Sequence, residues 1–122
     1  MALPFEFVLE LLHPLEVRIK PMFGVHALYI GDKIYLALRK RDKNPQDNGL
    51  MIGCESIEYS QLLKADFPSL RALESIPIKK WILLPEEADD FEESATELCA
   101  LIHRGDPRIG VLPKPKKPKK KK

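Results

Sequence analysis

Two runs of β-favouring residues, Val25-His26-Ala27-Leu28-Tyr29-Ile30 and Lys33-Ile34-Tyr35-Leu36-Ala37-Leu38, are separated by only Gly31-Asp32. A two-residue connection that begins with glycine closes a tight type II′ or I′ hairpin, because the backbone twist of these turns matches that of the strands. The chain is thereby committed to an antiparallel pair, and the remaining elements must be arranged around it. Strict alternation from this loop pairs Ile30 with Lys33, Leu28 with Tyr35 and His26 with Ala37. Val25, Ala27, Tyr29, Ile34, Leu36 and Leu38 then form the core face. His26, Leu28, Ile30, Lys33, Tyr35 and Arg39 face away from it.

The flanking segments supply the rest of an α+β domain. Phe5–Leu12 is apolar apart from Glu6 and Glu10, one turn apart, which fits a helix begun by Pro4 and stopped before Pro14. Val17–Lys20 alternates apolar and basic residues and predicts a half-buried strand. Arg39–Gly49 is polar and reads as a loop, and Leu50–Cys54 as a strand. Ile57–Lys64 has helical spacing, Ser69–Glu74 adds a further turn, and Lys79–Leu84 is a last strand closed by Pro85. Glu86–Arg104 is the longest helix expected. Ala88, Phe91, Ala95, Leu98 and Ile102 recur along one stripe, acids crowd its start, and Gly105 can end it in the left-handed conformation. No full crossover helix separates the early strands. The expected fold is therefore an antiparallel sheet of about five strands, with the N- and C-terminal helices packed on one face and the other partly solvated. Trp81, in the run Trp-Ile-Leu-Leu, is expected in the core.

Charge divides the chain in two. Residues 1–112 carry thirteen basic against eighteen acidic side chains, a balance of −5, and seven lysines without an acid at 113–122 bring the total to +2. The domain is thus expected to span 1–112. Pro113–Lys122 is a disordered Lys/Pro tail that can bury nothing and repels itself. There is no run of 18 apolar residues to span a membrane, and the start of the chain lacks the positive region of a secretory signal. Cys54 and Cys99 lack CxxC spacing; they could pair in an oxidising compartment, but packing as free thiols in the cytoplasm is the favoured reading.

No catalytic motif occurs. His13, His26 and His103 have no metal-ligand spacing, and Asp89, Asp90, Glu92 and Glu93 point in different directions on a helix. No metal, cofactor or catalytic residue is therefore expected. Two features suit a polyanion. Lys114, Lys116, Lys117, Lys119, Lys120, Lys121 and Lys122 would neutralise phosphates without reading bases. Arg18, Lys20, Lys33, Tyr35 and Arg39 would give the outer sheet face basic groups around an aromatic ring. The expectation is a non-enzymatic protein that associates with DNA or RNA in the cytoplasm or at the nucleoid. The competing expectation is a protein-interaction module that docks a partner or a second copy through Leu28, Ile30 and Tyr35.

Lys20-Pro21-Met22-Phe23-Gly24, followed by His26–Lys33, resembles the N-terminal domain of the TfoX competence-regulator family, with Val25 in place of its second glycine. The C-terminal half is similar to the MmcQ/YjbR family at Phe67-Pro68, Lys80-Trp81, Glu93-Ser94 and Leu112-Pro113-Lys114. Together the resemblances span Val17–Lys114. They imply an antiparallel sheet with helices gathered on one side, in the secretion-chaperone-like group. They suggest DNA binding and transfer no catalytic residue.

Overall fold

The computed structural model of the chain describes residues 3–22, 24–76, 78 and 80–112. The lysines of the tail lie outside the described residues, as does the expectation that they are disordered. In chain order the elements are α1 (Phe7–Leu12), β1 (Arg18–Met22), β2 (Val25–Ile30), β3 (Lys33–Arg39), a 3-10 turn (Pro45–Asp47) and β4 (Gly49–Gly53). There follow α2 (Ile57–Asp66), β5 (Arg71–Ala72), β6 (Trp81–Pro85) and α3 (Phe91–His103). Six strands form one antiparallel sheet in the order β1-β2-β3-β4-β6-β5.

One face of this sheet carries an unbroken apolar row. Leu28, Leu36, Ile52 and Ile82 are aligned across four strands, with Leu38, Leu50 and Leu84 in the next row. They pack against Val8 and Leu12 of α1, Leu63 of α2, and Phe91, Ala95, Leu98 and Ile102 of α3. α1 is seated by aromatic contacts: the rings of Phe5 and Phe7 lie 5.4 and 6.0 Å from that of Phe91. α3 ends as its sequence requires. Gly105 takes φ +75°, and the amides of Gly105 and Asp106 return to the carbonyls of Ile102 and Leu101.

The hairpin forms with the expected loop but not the expected faces. A bulge at Tyr35 inserts one extra residue, so Tyr29 pairs with Ile34 but Leu28 pairs with Leu36, and His26 with Leu38. β3 keeps Leu36 and Leu38 in the core while β2 is reversed. His26, Leu28 and Ile30 turn to the helix side, and Val25, Ala27 and Tyr29 to the other. Two further expectations change. Ser69–Glu74 is no helical turn but contains the short edge strand β5, because Arg71 and Ala72 find partners in Leu83 and Ile82. α3 begins at Phe91, Glu86–Asp90 being used in turns. Among the described residues no helix is long and apolar enough to cross a membrane.

Cys54 and Cys99 are both free and buried. Burial pushes the Cys54 thiol up to about 11, against the opposing charge of Arg108, and the Cys99 thiol up to about 12. The folded protein should therefore react with a thiol reagent about a hundredfold more slowly than the denatured chain, which should yield two sulfhydryls without reduction. Fast modification of either cysteine in the native state would contradict their placement.

Candidate binding site on the open sheet face

The face away from the helices is also apolar at its centre. One row across it reads Lys20, Ala27, Ala37, Met51, Leu83 and Arg71, from β1 to β5. The two alanines are neighbours on adjacent strands and leave a depression. The taller side chains of Met22, Val25, Ile34, Met51 and Trp81 stand around it. The Trp81 side chain reaches over the strand beside it because its cross-strand partner is Gly53; a Cβ there would lie 3.0 Å from Cη2 and Cζ2 of the indole.

The connection between β5 and β6 turns the depression into a pocket. Leu73 packs on Ala37, Met51 and Leu83, while Ile76 and Ile78 reach the lining. The result is a pocket of about 390 Å³. Arg39 and Arg41 contribute the charged side chains of its lining, at the end of β3 and just beyond it.

Asp47 anchors this strap. Its carboxylate has no solvent exposure and accepts hydrogen bonds from the backbone amides of Glu74 and Ser75, the Ser75 hydroxyl and Arg71 Nη1. Burial alone would raise the Asp47 pKa, but hydrogen bonds from Ser75, the Glu74 amide and Arg71 outweigh it and hold the group at about 2.

The expected nucleic-acid residues are not assembled into one platform. Arg18 and Lys20 are exposed on β1 and share the open face. Arg18 donates to the Gly31 carbonyl at 2.9 Å, with its guanidinium 5.1 Å from the Tyr29 ring centroid. Lys33 is half-buried. Tyr35 is the bulged residue and packs against the helix-side core instead of standing on an outer face. Arg39 is only 2% exposed. Its guanidinium donates to the carbonyls of Lys43 and Asn44 and to Asn48 Oδ1, which folds the 40–48 loop back on the strand. Burial lowers its pKa, with Asp47 opposing. Leu28 is fully buried and therefore unavailable for docking. Trp81, expected in the core, is half-buried in the pocket wall.

Of the lining only Arg39 belonged to the expected set; Val25, Ala27, Ile34 and Trp81 were expected in the core, and Met22, Ala37, Arg41, Met51, Ile76 and Ile78 were assigned no role. A signal for them existed in the uninterrupted runs Leu50-Met51-Ile52 and Trp81-Ile82-Leu83-Leu84. Strands apolar at every position have two buried faces, not one. Among the described residues, no group of three or more His, Cys, Asp and Glu side chains is placed to hold a metal ion.

No protein-family model matches the chain, and neither a curated protein nor a solved structure does.

Replacing Asp47 with alanine should destabilise the fold by about 2–4 kcal/mol, because it strips charge-assisted bonds from two amides and a guanidinium. The pH dependence has a definite sign. The folded pKa lies below the ordinary value of 3.8, so the contribution is complete above about pH 4 and is lost as pH falls towards 2; the shift corresponds to about 2 kcal/mol. In denaturant melts from pH 7 to pH 2 the wild type should lose about 2 kcal/mol more than the variant, which keeps the acid dependence of Asp90 and Asp106.

Proposed function

We propose that this chain is a non-enzymatic binding module whose ligand seats in the pocket on the open sheet face. The observation that carries this reading is the pocket itself, about 390 Å³ between a rigid sheet and an anchored strap. Small-molecule sites have volumes of about 300–1,000 Å³ and combine apolar walls with a few polar groups, and this pocket has both properties. Among the described residues its charged lining is two guanidiniums, which stay protonated and serve neither as nucleophile nor as general base near neutral pH. Such a lining favours retention of a ligand over chemistry upon it. Membership of the MmcQ/YjbR and TfoX-like group and a cytoplasmic location belong to the same proposal; the first rests on the short motifs between Val17 and Lys114.

Trp81 is the only tryptophan of the chain and stands in the pocket wall, so it reports directly on occupancy. Titration with a neutral apolar probe such as decanol should change its emission saturably. Ala37→Leu, which fills the floor, should weaken that response about tenfold through lost volume and contacts. An unsaturable response, or one indifferent to Ala37→Leu, would contradict the reading.

A second reading, association with DNA or RNA, is favoured by the seven lysines of 113–122. Val111 pairs with Ile34 beside the pocket, and the Leu112 amide donates to Glu55, so residue 112, the last described, lies at the margin of the open face. The acidic balance of 1–112 would itself repel a polyanion. If all seven lysines engage duplex DNA, the log–log salt slope should be about −6, and deletion of 113–122 should abolish it. Binding with an unchanged slope after deletion would transfer the contact to Arg18 and Lys20. An absence of binding at low salt would remove this second reading.

A further inference from the structure

Resting on the pocket reading, we infer that the ligand is a small organic anion with an apolar body, such as an aliphatic or aromatic carboxylate, and that Arg41 receives its charged end. Among the described residues the lining is apolar except where Arg39 and Arg41 enter it, and it contains no acid. The two arginines differ. Arg39 is buried and committed to the loop: both hydrogens of Nη1 and one of Nη2 go to Asn44, Asn48 and Lys43. Arg41 is fixed at its backbone, where its amide donates to Asn48 Oδ1 and its carbonyl accepts from Asn48 Nδ2. Its guanidinium makes no hydrogen bond or ion pair among the described residues.

The position of that guanidinium is set by Gly24. A Cβ on Gly24 would lie 2.8 Å from Arg41 Cζ and 2.9 Å from Nη1, so the missing side chain provides its seat. Gly24 has φ +80° and lies between Met22 and Val25, which line the pocket. A planar five-donor cation thus rests at the rim of an apolar cavity with its donors unspent. That arrangement suits bidentate pairing with a carboxylate, which is stronger than a neutral hydrogen bond. Arg39, beneath the loop, adds positive potential without competing for the ligand.

The test uses the full chain, with decanoate and decanol as probes. Binding is read from Trp81 emission and from methyl resonances of Met51, Ile76 and Ile78, so that attraction to the lysine tail is not counted. Decanoate should bind at least tenfold more tightly than decanol. Arg41→Gln should reduce decanoate affinity about tenfold and leave decanol unchanged, and Arg41→Lys should fall between them. The equivalent change at exposed Arg104 should alter neither. Equal affinity for both probes, unaffected by Arg41→Gln, would overturn the anion assignment while leaving the pocket as a binding site. A decanoate preference that survives Arg41→Gln would overturn the role of Arg41. Failure of both probes to shift the pocket methyls would overturn the pocket reading and this inference together.

Discussion

The central strands of this sheet are apolar on both sides, and a sheet of that kind needs two covers. On the helix side Leu28, Leu36, Ile52 and Ile82 meet α1, α2 and α3, and all four are essentially inaccessible to water. On the other side there is no helix among the described residues. Ala37, Met51 and Leu83 would face water across the middle of the sheet if the β5–β6 connection did not cross them. At about 25 cal/mol per Å² of apolar surface, that exposure would be a serious fraction of a marginal folding free energy.

The second cover is a strap, and a strap must be fastened. Leu73 contributes apolar contact, but beyond β5 the described residues of the segment pair with no strand. Asp47 fills that role with one buried carboxylate that gathers two consecutive amides, a hydroxyl and an arginine. A buried carboxylate is stabilising only when its desolvation is repaid by hydrogen bonds, and its depressed pKa indicates that it is. Arg39 performs the converse task on the 40–48 loop, a buried cation satisfied by two carbonyls and an amide oxygen. The two charged groups fix the loop and the strap on either side of the same hollow.

The antiparallel sheet, the helices on one face, the Gly31-Asp32 hairpin and the end of α3 were legible in local signals, because each rests on short-range chemistry. The pocket was not, and one residue explains most of the loss. Alternation counted from the hairpin loop fails at Tyr35, since a bulge carries no distinctive residue pattern; Leu36 and Leu38 keep their face, but Ile34 and every assignment on β2 are reversed. Arg39 was misplaced for a related reason. It lies on the expected strand, but its burial depends on the path of a loop whose conformation is set by Asn44 at φ +51° and by Asn48. β5 was missed because two residues are too few to display a period. Burial on both faces, by contrast, was visible in the runs around Met51 and Leu83 and needed only to be followed to its consequence.

The rows on the two faces differ in a way that packing alone does not explain. The helix-side row has a Leu or Ile on each of four strands. The matching positions on the open side read Ala27, Ala37, Met51 and Leu83, with Gly53 facing Trp81 in the next row. Each methylene added to those small residues could bury about 0.8 kcal/mol of apolar contact beneath the strap, within the limits of overpacking. The sequence forgoes that gain at the two neighbouring alanines and encloses the resulting space with Ile76, Ile78 and an arginine whose guanidinium has no partner among the described residues. An unfilled apolar hollow is a standing cost to the free protein. An occupant that supplies the missing volume and a negative charge would recover it, and the fold would then be stabilised by RT ln(1 + L/Kd), with L the free ligand concentration, more as L rises above Kd.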